Sequence, residues 1–368
     1  MLNVLHLINH LGRGGSEKYI CLLAKKLHNK LCRFYLAYSE EGGGRELFEK
    51  AGIDLVRLEM RNPIDIRAAA GLKALCARLS IDVVHTHFLR ENYIAVLSKM
   101  LGNKAKIVNT RHMLFKNSRG VIAANRLFTS FNSKIIAVSN SVREQLISEG
   151  INPGKVELIY TGIDLEEWSI PVTPAFRKEY GISADEIVVT SVARFSEEKG
   201  HEFLIDAIGY FKEHMEELGV ASGKFRFVLA GDGELRGNIA KKAEALGLQN
   251  DVIFTGYISD IKDLLKSSDI FISHSKNEAL GISILEAMAA GIPAISTDSG
   301  GAAEIVNSRF ENGILINYGD KKALAEGLAR LAREKELRML YAENGLKTVR
   351  EHFCLDKTAE ETYNLYKQ

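Results

Sequence analysis

The 368-residue sequence predicts an α/β protein made of two Rossmann-like units in tandem, each built on a parallel sheet. Short apolar segments alternate with amphipathic helical patterns along the chain, and this alternation is typical of parallel strands joined by crossover helices. The alternation breaks once, around residues 166–176, and then begins again. The break and the restart indicate two units of the same kind in one chain.

The first half of the chain contains seven segments with the length and composition of strands. Helical patterns separate them, for example Glu17–Leu27 and Ile66–Leu79. The seven predicted strands are Val4–Asn9, Phe34–Tyr38, Leu55–Glu59, Val83–Thr86, Ile107–Thr110, Ile135–Val138 and Val156–Ile159. This half therefore predicts a complete first domain, at residues 1–165.

The second half predicts six more strands and a domain at residues 177–350. The strands are Ile187–Ala193, Phe227–Ala230, Val252–Thr255, Ile270–Ser273, Ala294–Thr297 and Ile314–Ile316. A linker is expected at 166–176, with Trp168, Pro171 and Pro174, because prolines cluster where the periodicity stops. The pattern after Asp320 is helical, and we expect a helix in 351–368 to return to the first domain. Two such domains facing each other would form a cleft at the carboxyl ends of their strands, where ligands bind in this fold class.

The composition is that of a soluble globular protein, with 46% hydrophobic and 26% charged residues. The four cysteines show no CxxC spacing, which favours a reducing compartment and disfavours a structural zinc site. The apolar run at the N-terminus is too short for a signal peptide, and no uncharged run approaches the ~20 residues of a membrane span. We expect a cytoplasmic protein, with peripheral contact on the inner face of the cell membrane as a further hypothesis.

Charge is unevenly distributed although the net charge is only +1. Residues 1–165 carry 24 Lys and Arg against 14 Asp and Glu, whereas residues 166–368 carry 24 against 33. The basic window, residues 92–143, has no acidic residue and nine basic ones: Lys99, Lys104, Lys106, Arg111, Lys116, Arg119, Arg126, Lys134 and Arg143. A solvated basic surface is one interpretation, and docking on an anionic membrane or a phosphorylated acceptor is the other. Nucleic acid is disfavoured because no binding motif accompanies the charge.

The segment around Glu278 and Glu286 is the most informative part of the sequence. An apolar strand leads into a polar loop with Glu278, and a glycine turn then opens an apolar helix that carries Glu286. A strand-to-helix turn presents backbone N–H groups, and the helix dipole favours an anion there. The carboxylates could accept hydrogen bonds from sugar hydroxyls. A ligand with both phosphate and polyol character, such as a nucleotide sugar, fits this combination.

Other strand ends carry glycines and cations. The loop Gly12–Glu17 follows the first strand and opens a helix, so it predicts either close backbone approach to a ligand or a plain tight turn. Arg194 and Lys199 follow the first strand of the second domain and could neutralise a pyrophosphate; a surface salt bridge with Glu197 or Glu198 is the alternative. Gly231 lies in a further glycine turn that is interpreted as mainly structural.

Together these residues make the chain resemble a retaining glycosyltransferase of family 4, with the GT-B fold of two facing Rossmann-like domains. The resemblance covers nearly the whole chain. It depends on the E-x7-E motif of Glu278 and Glu286, on Arg194 and Lys199, on the Gly14-Gly15 loop, and on Thr161-Gly162-Ile163-Asp164 at the end of the first domain.

The resemblance implies roles for individual residues. Glu286 would hold the ribose hydroxyls of the donor, and Glu278 would contact the transferred sugar. Backbone amides from Leu280, Gly281 and Ile282 would meet the sugar or its phosphates, and His112 would lie beside the anomeric carbon. The implied donor-binding residues are Gly14, Gly15, Arg194, Lys199, Gly231, Leu280, Gly281, Ile282 and Glu286. The implied catalytic residues are His112, Arg194, Lys199 and Glu278. As a lone histidine, His112 could also be an ordinary core or surface residue, and His85 and His87 could either touch the acceptor or pack at strand ends.

The expected reaction is metal-independent transfer, with retention, from a nucleotide sugar to a glycan or lipid-linked acceptor of surface polysaccharide or lipopolysaccharide. No Asp-x-Asp motif and no clustered metal ligands occur, so no metal or other cofactor is expected. A UDP-sugar is favoured as donor by its frequency in such families. A nonhydrolysing nucleotide-sugar epimerase of the same fold and a catalytically silent binding module remain as alternatives.

Overall fold

The computed structural model describes residues 1–173, 175–220 and 225–368 and divides into two compact units. The first unit comprises Met1–Gly162 and Leu355–Gln368, and the second comprises Ile163–Cys354. Pro174, which was placed in the predicted linker, lies outside the described residues.

The first unit is built on a seven-stranded parallel sheet. Its strands are β1 (Leu2–Leu7), β2 (Cys32–Tyr38), β3 (Asp54–Arg57), β4 (Val83–Thr86), β5 (Lys106–Arg111), β6 (Lys134–Ala137) and β7 (Val156–Leu158). The order across the sheet is β3-β2-β1-β4-β5-β6-β7. Because successive strand residues point to opposite faces, Val4 and Leu5 of β1 join two different apolar clusters, one on each face.

Helices connect these strands, and several begin at a side chain that caps them. The helices are α1 (Gly15–Leu27), α2 (Arg45–Lys50), α3 (Ile66–Arg78), α4 (Leu89–Met100), α5 (Arg119–Thr129) and α6 (Asn140–Ser148). Asp65, Ser118 and Ser139 each accept a hydrogen bond from a backbone N–H of the first turn of α3, α5 and α6.

The last helix of the chain, Leu355–Lys367, packs in the first unit although the rest of the chain before it belongs to the second. Two buried side chains of this helix, Leu365 and Tyr366, join the same apolar cluster as residues of β1 and α1. The Thr358 hydroxyl donates to the Tyr160 carbonyl at 2.7 Å. The expected return of the C-terminal helix to the first domain is thereby confirmed.

The second unit has a six-stranded parallel sheet in the order β10-β9-β8-β11-β12-β13. Its strands are β8 (Ile187–Val192), β9 (Phe225–Ala230), β10 (Val252–Gly256), β11 (Ile270–Ser273), β12 (Ala294–Thr297) and β13 (Gly313–Ile316). Its helices are α7 (Leu165–Ser169), α8 (Phe176–Glu179), α9 (His201–Glu213), α10 (Arg236–Ala245), α11 (Lys262–Lys266), α12 (Ile282–Ala289), α13 (Ala302–Ile305), α14 (Lys321–Arg333) and α15 (Lys335–His352); the C-terminal helix Leu355–Lys367 is α16.

Every predicted strand overlaps a strand of the structure, with ends that shift by up to two residues. The predicted linker 166–176 is not free of secondary structure, because α7 and α8 lie at its two ends and both group with the second unit. Trp168 of α7 is buried there. Within the described part of the chain, no helix combines the length and apolar character that crossing a bilayer requires.

Candidate active site

The predicted site residues divide between the two units. Gly14, Gly15 and His112 lie in the first unit, and the others lie in the second.

In the second unit, Arg194 and Lys199 lie on the loop between β8 and α9. A 3-10 turn spans Glu197–Lys199, and Gly200 follows it in the left-handed region at φ 71°. A Cβ on Gly200 would come within 2.5 Å of the His274 carbonyl oxygen, so glycine is required where this loop meets the end of β11. The glycine thus holds the cation-bearing loop against the segment that carries Glu278.

Lys199 and Glu278 form an ion pair although 79 positions separate them in the sequence. The distance from Lys199 Nζ to Glu278 Oε2 is 2.6 Å, and both side chains are largely buried. The Ser275 hydroxyl donates to the same carboxylate oxygen at 2.9 Å. Two of the predicted catalytic residues are therefore in direct contact, at the carboxyl ends of β8 and β11.

Arg194 has a more exposed position. Its guanidinium donates to Glu198 Oε1 at 2.8 Å, and the Arg194 side chain is 61% exposed. This is the surface ion pair that the sequence left open as an alternative for Arg194. Lys199 does not follow that alternative, since its partner is Glu278.

The turn before α12 is held by one close backbone approach and one backbone hydrogen bond, both at Gly301. Gly281 precedes the first residue of α12 with φ 105°, and Leu280 beside it is buried. A Cβ on Gly301 would lie 2.2 Å from the Ala279 carbonyl oxygen, and the Gly301 N–H donates to the Glu278 carbonyl at 2.9 Å. Glu278 lies before α12, and Glu286 lies on α12 with its side chain partly exposed.

Gly231 lies where the β9 loop presses on the β8 loop. Its φ is 140°, and a Cβ there would meet the Ala193 carbonyl oxygen at 2.0 Å. This contact accounts for the glycine by packing, and a role in donor binding stays a prediction.

The glycine loop of the first unit is partly covered by a carboxylate of its own chain. Gly14 precedes α1, and a Cβ on Gly12 or Gly14 would come within 3 Å of a Glu17 carboxylate oxygen. The Ser16 hydroxyl donates to Glu17 Oε2 at 2.7 Å. An anionic ligand at Gly14 and Gly15 would therefore meet the charge of Glu17 unless that side chain moves.

His112 belongs to a cluster of histidines at the carboxyl ends of three neighbouring strands. His6 Nδ1 lies 3.0 Å from His87 Nε2, and His87 Nδ1 lies 3.0 Å from His112 Nε2. His85 instead contacts the Tyr366 hydroxyl at 2.6 Å and the Thr110 hydroxyl at 2.7 Å. Burial lowers the pKa of His6 and of His112 to about 3 and that of His85 and His87 well below the ordinary value. All four rings are consequently neutral at pH 7.

One group of side chains in the described residues comes close enough to hold a metal ion, namely His6, His85 and His87. However, both nitrogens of His85 and both nitrogens of His87 already have hydrogen-bond partners. A metal bound by all three rings would have to displace several of these bonds, so the donor set fits a hydrogen-bonded cluster better than a metal site.

A pocket of about 430 Å³ opens beside His112 in the first unit. Its wall includes Glu91 and Arg111, two groups whose role the sequence did not reveal. Burial raises the pKa of the Glu91 carboxyl to about 7, and Glu91 Oε2 has no hydrogen-bond partner among the described residues. Burial lowers the pKa of Arg111 to about 10, and its Nε and Nη2 likewise have no partner there. The pocket wall thus contains a carboxyl group and a guanidinium with buried polar atoms that no described residue pairs.

A signal for both residues was present in the sequence. Arg111 ends β5, and Glu91 lies in the first turn of the helix that follows β4. Carboxyl ends of parallel strands are where ligands bind in such sheets, so both positions were candidates. Arg111 belongs to the basic window, and Glu91 directly precedes that window in the sequence.

Two protein-family models match the chain. Residues 13–167 match the model described as Glycosyltransferase Family 4, and residues 172–348 match the model described as Glycosyl transferases group 1. The two models together cover most of both units.

Two curated relatives and one solved structure are similar over most of the chain. The N-acetyl-alpha-D-glucosaminyl L-malate synthase of Bacillus anthracis is 27% identical over 310 residues, 83% of this chain and 79% of the relative. The UDP-Gal:alpha-D-GlcNAc-diphosphoundecaprenol alpha-1,3-galactosyltransferase of Escherichia coli is 26% identical over 313 residues, 82% of this chain and 79% of the relative. The crystal structure of the Anabaena protein Alr3699/HepE in complex with UDP and glucose matches with a TM-score of 0.87 and 21% identity, covering 99% of each chain. The GT-B fold implied by the sequence is confirmed.

Proposed function

The chain belongs to the group 1, family 4 glycosyltransferases, and from this premise we propose that it transfers a sugar from a UDP-sugar, with retention and without a metal ion. The acceptor we propose is a glycan or lipid-linked intermediate of surface polysaccharide or lipopolysaccharide. The observation that carries the proposal is the 2.6 Å contact between Lys199 and Glu278.

This ion pair unites the two chemistries that a nucleotide sugar needs. The Glu278 carboxylate can accept hydrogen bonds from hydroxyls of the transferred sugar. The Lys199 ammonium beside it can stabilise negative charge on the diphosphate as the glycosidic bond breaks. Because the pair is largely buried, this charge stabilisation is stronger than it would be in water.

Arg194 and the α12 turn extend the same reasoning. The exposed Arg194 guanidinium can exchange Glu198 for phosphate oxygens, which it can grip with two parallel hydrogen bonds. Arg194 and Lys199 together would supply the positive charge that a metal ion supplies in other transferases. Glu286 on α12 is assigned to the ribose hydroxyls of the donor. A uridine donor is supported by the Anabaena neighbour, whose crystal structure is of a complex with UDP and glucose.

Retention is assigned to attack from the face that the diphosphate leaves. In this route, a phosphate oxygen of the leaving group takes the proton of the acceptor hydroxyl, the new glycosidic bond forms, and the bond to the diphosphate breaks. No enzyme carboxylate becomes attached to the sugar. Isolation of a covalent glycosyl-enzyme would contradict this mechanism.

A lipid-linked acceptor is supported by two observations. The name of the Escherichia coli relative states that its acceptor is a sugar linked to diphosphoundecaprenol. In the first unit, apolar side chains in the basic window are exposed beside cations: Leu127 is 63% and Phe115 is 52% exposed, and Lys116 and Arg119 are exposed as well. Exposed apolar side chains among cations are the combination that binds an anionic bilayer surface.

Flotation with phosphatidylcholine vesicles, with and without phosphatidylserine, tests the membrane contact. We expect binding to the anionic vesicles that weakens with salt. Replacement of Lys116, Arg119 and Arg126 by Gln should abolish it. The matched control replaces three exposed lysines outside the window, Lys25, Lys30 and Lys50, by Gln, with the same change in charge. Equal loss in both triple variants would remove the basic window from the proposal.

Nucleotide release from UDP-, GDP- and ADP-sugars, with and without EDTA, tests the transferase reaction itself. We expect one donor to turn over in EDTA. Lys199→Ala should lower turnover by about 100-fold or more, as loss of one preorganised charge partner does in other enzymes. Lys276→Ala is the matched control, since the Lys276 side chain is exposed and its Nζ makes only a loose pair, 3.7 Å long, with the exposed Glu197 carboxylate. Equal effects of the two substitutions would contradict the role of Lys199.

Product analysis separates the alternatives. A nonhydrolysing epimerase would return a donor with altered sugar stereochemistry when no acceptor is present, whereas a transferase would return it intact or slowly hydrolysed. A silent binding module would bind UDP without any turnover in the presence of a membrane-extract acceptor.

A further inference from the structure

Three histidines of the first unit form a hydrogen-bonded series that ends at the pocket. His6 lies on β1, His87 follows β4 and His112 follows β5, and these three strands are neighbours in the sheet. The two hydrogen bonds of the series are both 3.0 Å long. His6 and His87 are buried, whereas His112 is partly exposed and lines the pocket.

The series can hold its protons in only two ways. All three rings are neutral, because burial lowers the pKa of each far below pH 7. A neutral imidazole has one N–H donor and one acceptor nitrogen. His87, which bonds at both nitrogens, must therefore donate to one neighbour and accept from the other. Either every ring carries its proton on Nδ1 or every ring carries it on Nε2.

His6, at the end of the series away from the pocket, decides between the two proton arrangements. His6 Nε2 is buried and has no hydrogen-bond partner among the described residues. If His6 carried its proton there, an N–H donor would be buried without an acceptor, which is rare in proteins. With the proton on Nδ1, His6 donates to His87, His87 donates to His112 Nε2, and only an acceptor lone pair is left unused.

We propose that His6 and His87 are positioning residues that hold His112 with its proton on Nδ1, so that His112 offers a hydrogen-bond donor to the pocket. The ligand atom it would meet is an oxygen of the transferred sugar, which rests on the proposed function. His112 therefore acts as a donor and not as a base. The Nε2 that could accept a proton is occupied by His87.

His85 is the natural internal control because it belongs to the same cluster but not to the series. It packs against His87 with ring centroids 4.5 Å apart, yet its nitrogens bond to Tyr366 and Thr110. Its replacement disturbs the packing of the cluster without interrupting the bonds from His6 to His112.

Long-range ¹H–¹⁵N correlation spectra of the ¹⁵N-histidine-labelled full chain, recorded without substrate, test the proposal. The resonances of His112 are assigned with His112→Asn. We expect His112 to carry its proton on Nδ1 in the wild type. His6→Phe should move part of the population to Nε2. His6→Asn, whose amide nitrogen takes the place of Nδ1, should restore the wild-type tautomer, and His85→Phe should leave it unchanged.

Turnover measured on the same proteins tests the consequence for the reaction. We expect His6→Phe to lower kcat by about 10- to 100-fold, as loss of a supporting hydrogen bond does at other sites, with KM for the donor changed much less. His6→Asn should recover most of this loss. A wild-type His112 protonated on Nε2, an unchanged tautomer in His6→Phe, or stoichiometric zinc in the purified protein would overturn the proposal. Absence of turnover in the wild type would refute the proposed function. The tautomer of His112 would still be decided by the spectra, which are recorded without substrate.

Discussion

Glu91 makes the stability of the first unit depend on pH. Its side chain is 1% exposed, one carboxylate oxygen has no partner among the described residues, and burial raises its pKa from 4.5 to about 7. Between these two pH values the native state keeps a proton that the unfolded chain releases. The free energy of unfolding is therefore highest below pH 4.5 as far as Glu91 is concerned, and it falls as the pH rises through 7.

The size of this effect follows from the shift in pKa. One unit corresponds to about 1.4 kcal/mol, so Glu91 should cost the native state about 3 kcal/mol by pH 8. Because Glu91 is buried, solvent screening reduces this value little. Glu91→Gln keeps the shape of the side chain and removes the charge. The difference in free energy of unfolding between Glu91→Gln and the wild type should therefore shift in favour of the variant from pH 5 to pH 8.

The assay must report on the first unit. The single tryptophan, Trp168, lies in the second unit, so its fluorescence does not serve. Native-state hydrogen exchange of amides in β4 and β5 measures the opening of the first unit directly. Glu49→Gln is the control, since Glu49 is exposed and pairs with Arg45, and such pairs contribute little to stability. Parallel stability–pH curves for Glu91→Gln and the wild type would refute the reasoning from burial.

Three further substitutions separate folding from catalysis. Gly200→Ala should destabilise the second unit more than Gly181→Ala. Both glycines have a positive φ, which costs an alanine about 1–2 kcal/mol, but only at Gly200 would the new Cβ come within 2.5 Å of a carbonyl oxygen. Urea unfolding followed by Trp168 fluorescence measures both losses of stability, and equal losses would contradict the close approach. Tyr366→Phe should lower the free energy of unfolding of the first unit by about 1–3 kcal/mol, because it leaves a nitrogen of buried His85 unpaired. Hydrogen exchange of the first unit measures this loss, and an unchanged exchange rate would count against that bond. Arg194→Gln should leave the midpoint of unfolding nearly unchanged, as its ion pair is exposed, while donor turnover falls; a protein that loses stability and activity together would show that Arg194 is structural.

The fold could be predicted from the sequence because its signals are local. The predicted strands Val83–Thr86, Ile270–Ser273 and Ala294–Thr297 have the same bounds in the structure, since each is a short run of mostly apolar or β-branched residues followed by a polar residue. The predicted strand Val4–Asn9 lies two residues too late. The apolar pattern continues after Leu7, but the regular pairing of β1 with β2 ends there.

The site could be predicted only where it depends on strand ends. Lys199 and Glu278 were both placed at such ends, but their contact depends on β8 and β11 being neighbours in the sheet. The partner of His85 is Tyr366, on a helix that belongs to the first unit only through tertiary packing. The buried environment of Glu91 likewise comes from several distant segments that line one pocket, and no periodicity in the sequence reports that arrangement.

The placement of α16 has a consequence for the order in which the protein is made. His85 must wait for a partner, Tyr366, that the ribosome adds 281 residues later, after the whole second unit. At bacterial or eukaryotic synthesis rates, this interval is roughly 15–55 s, which is far longer than a helix or a small domain takes to form. The second unit can therefore fold during translation, while the first unit emerges earlier but acquires α16 only after the whole second unit has been synthesised.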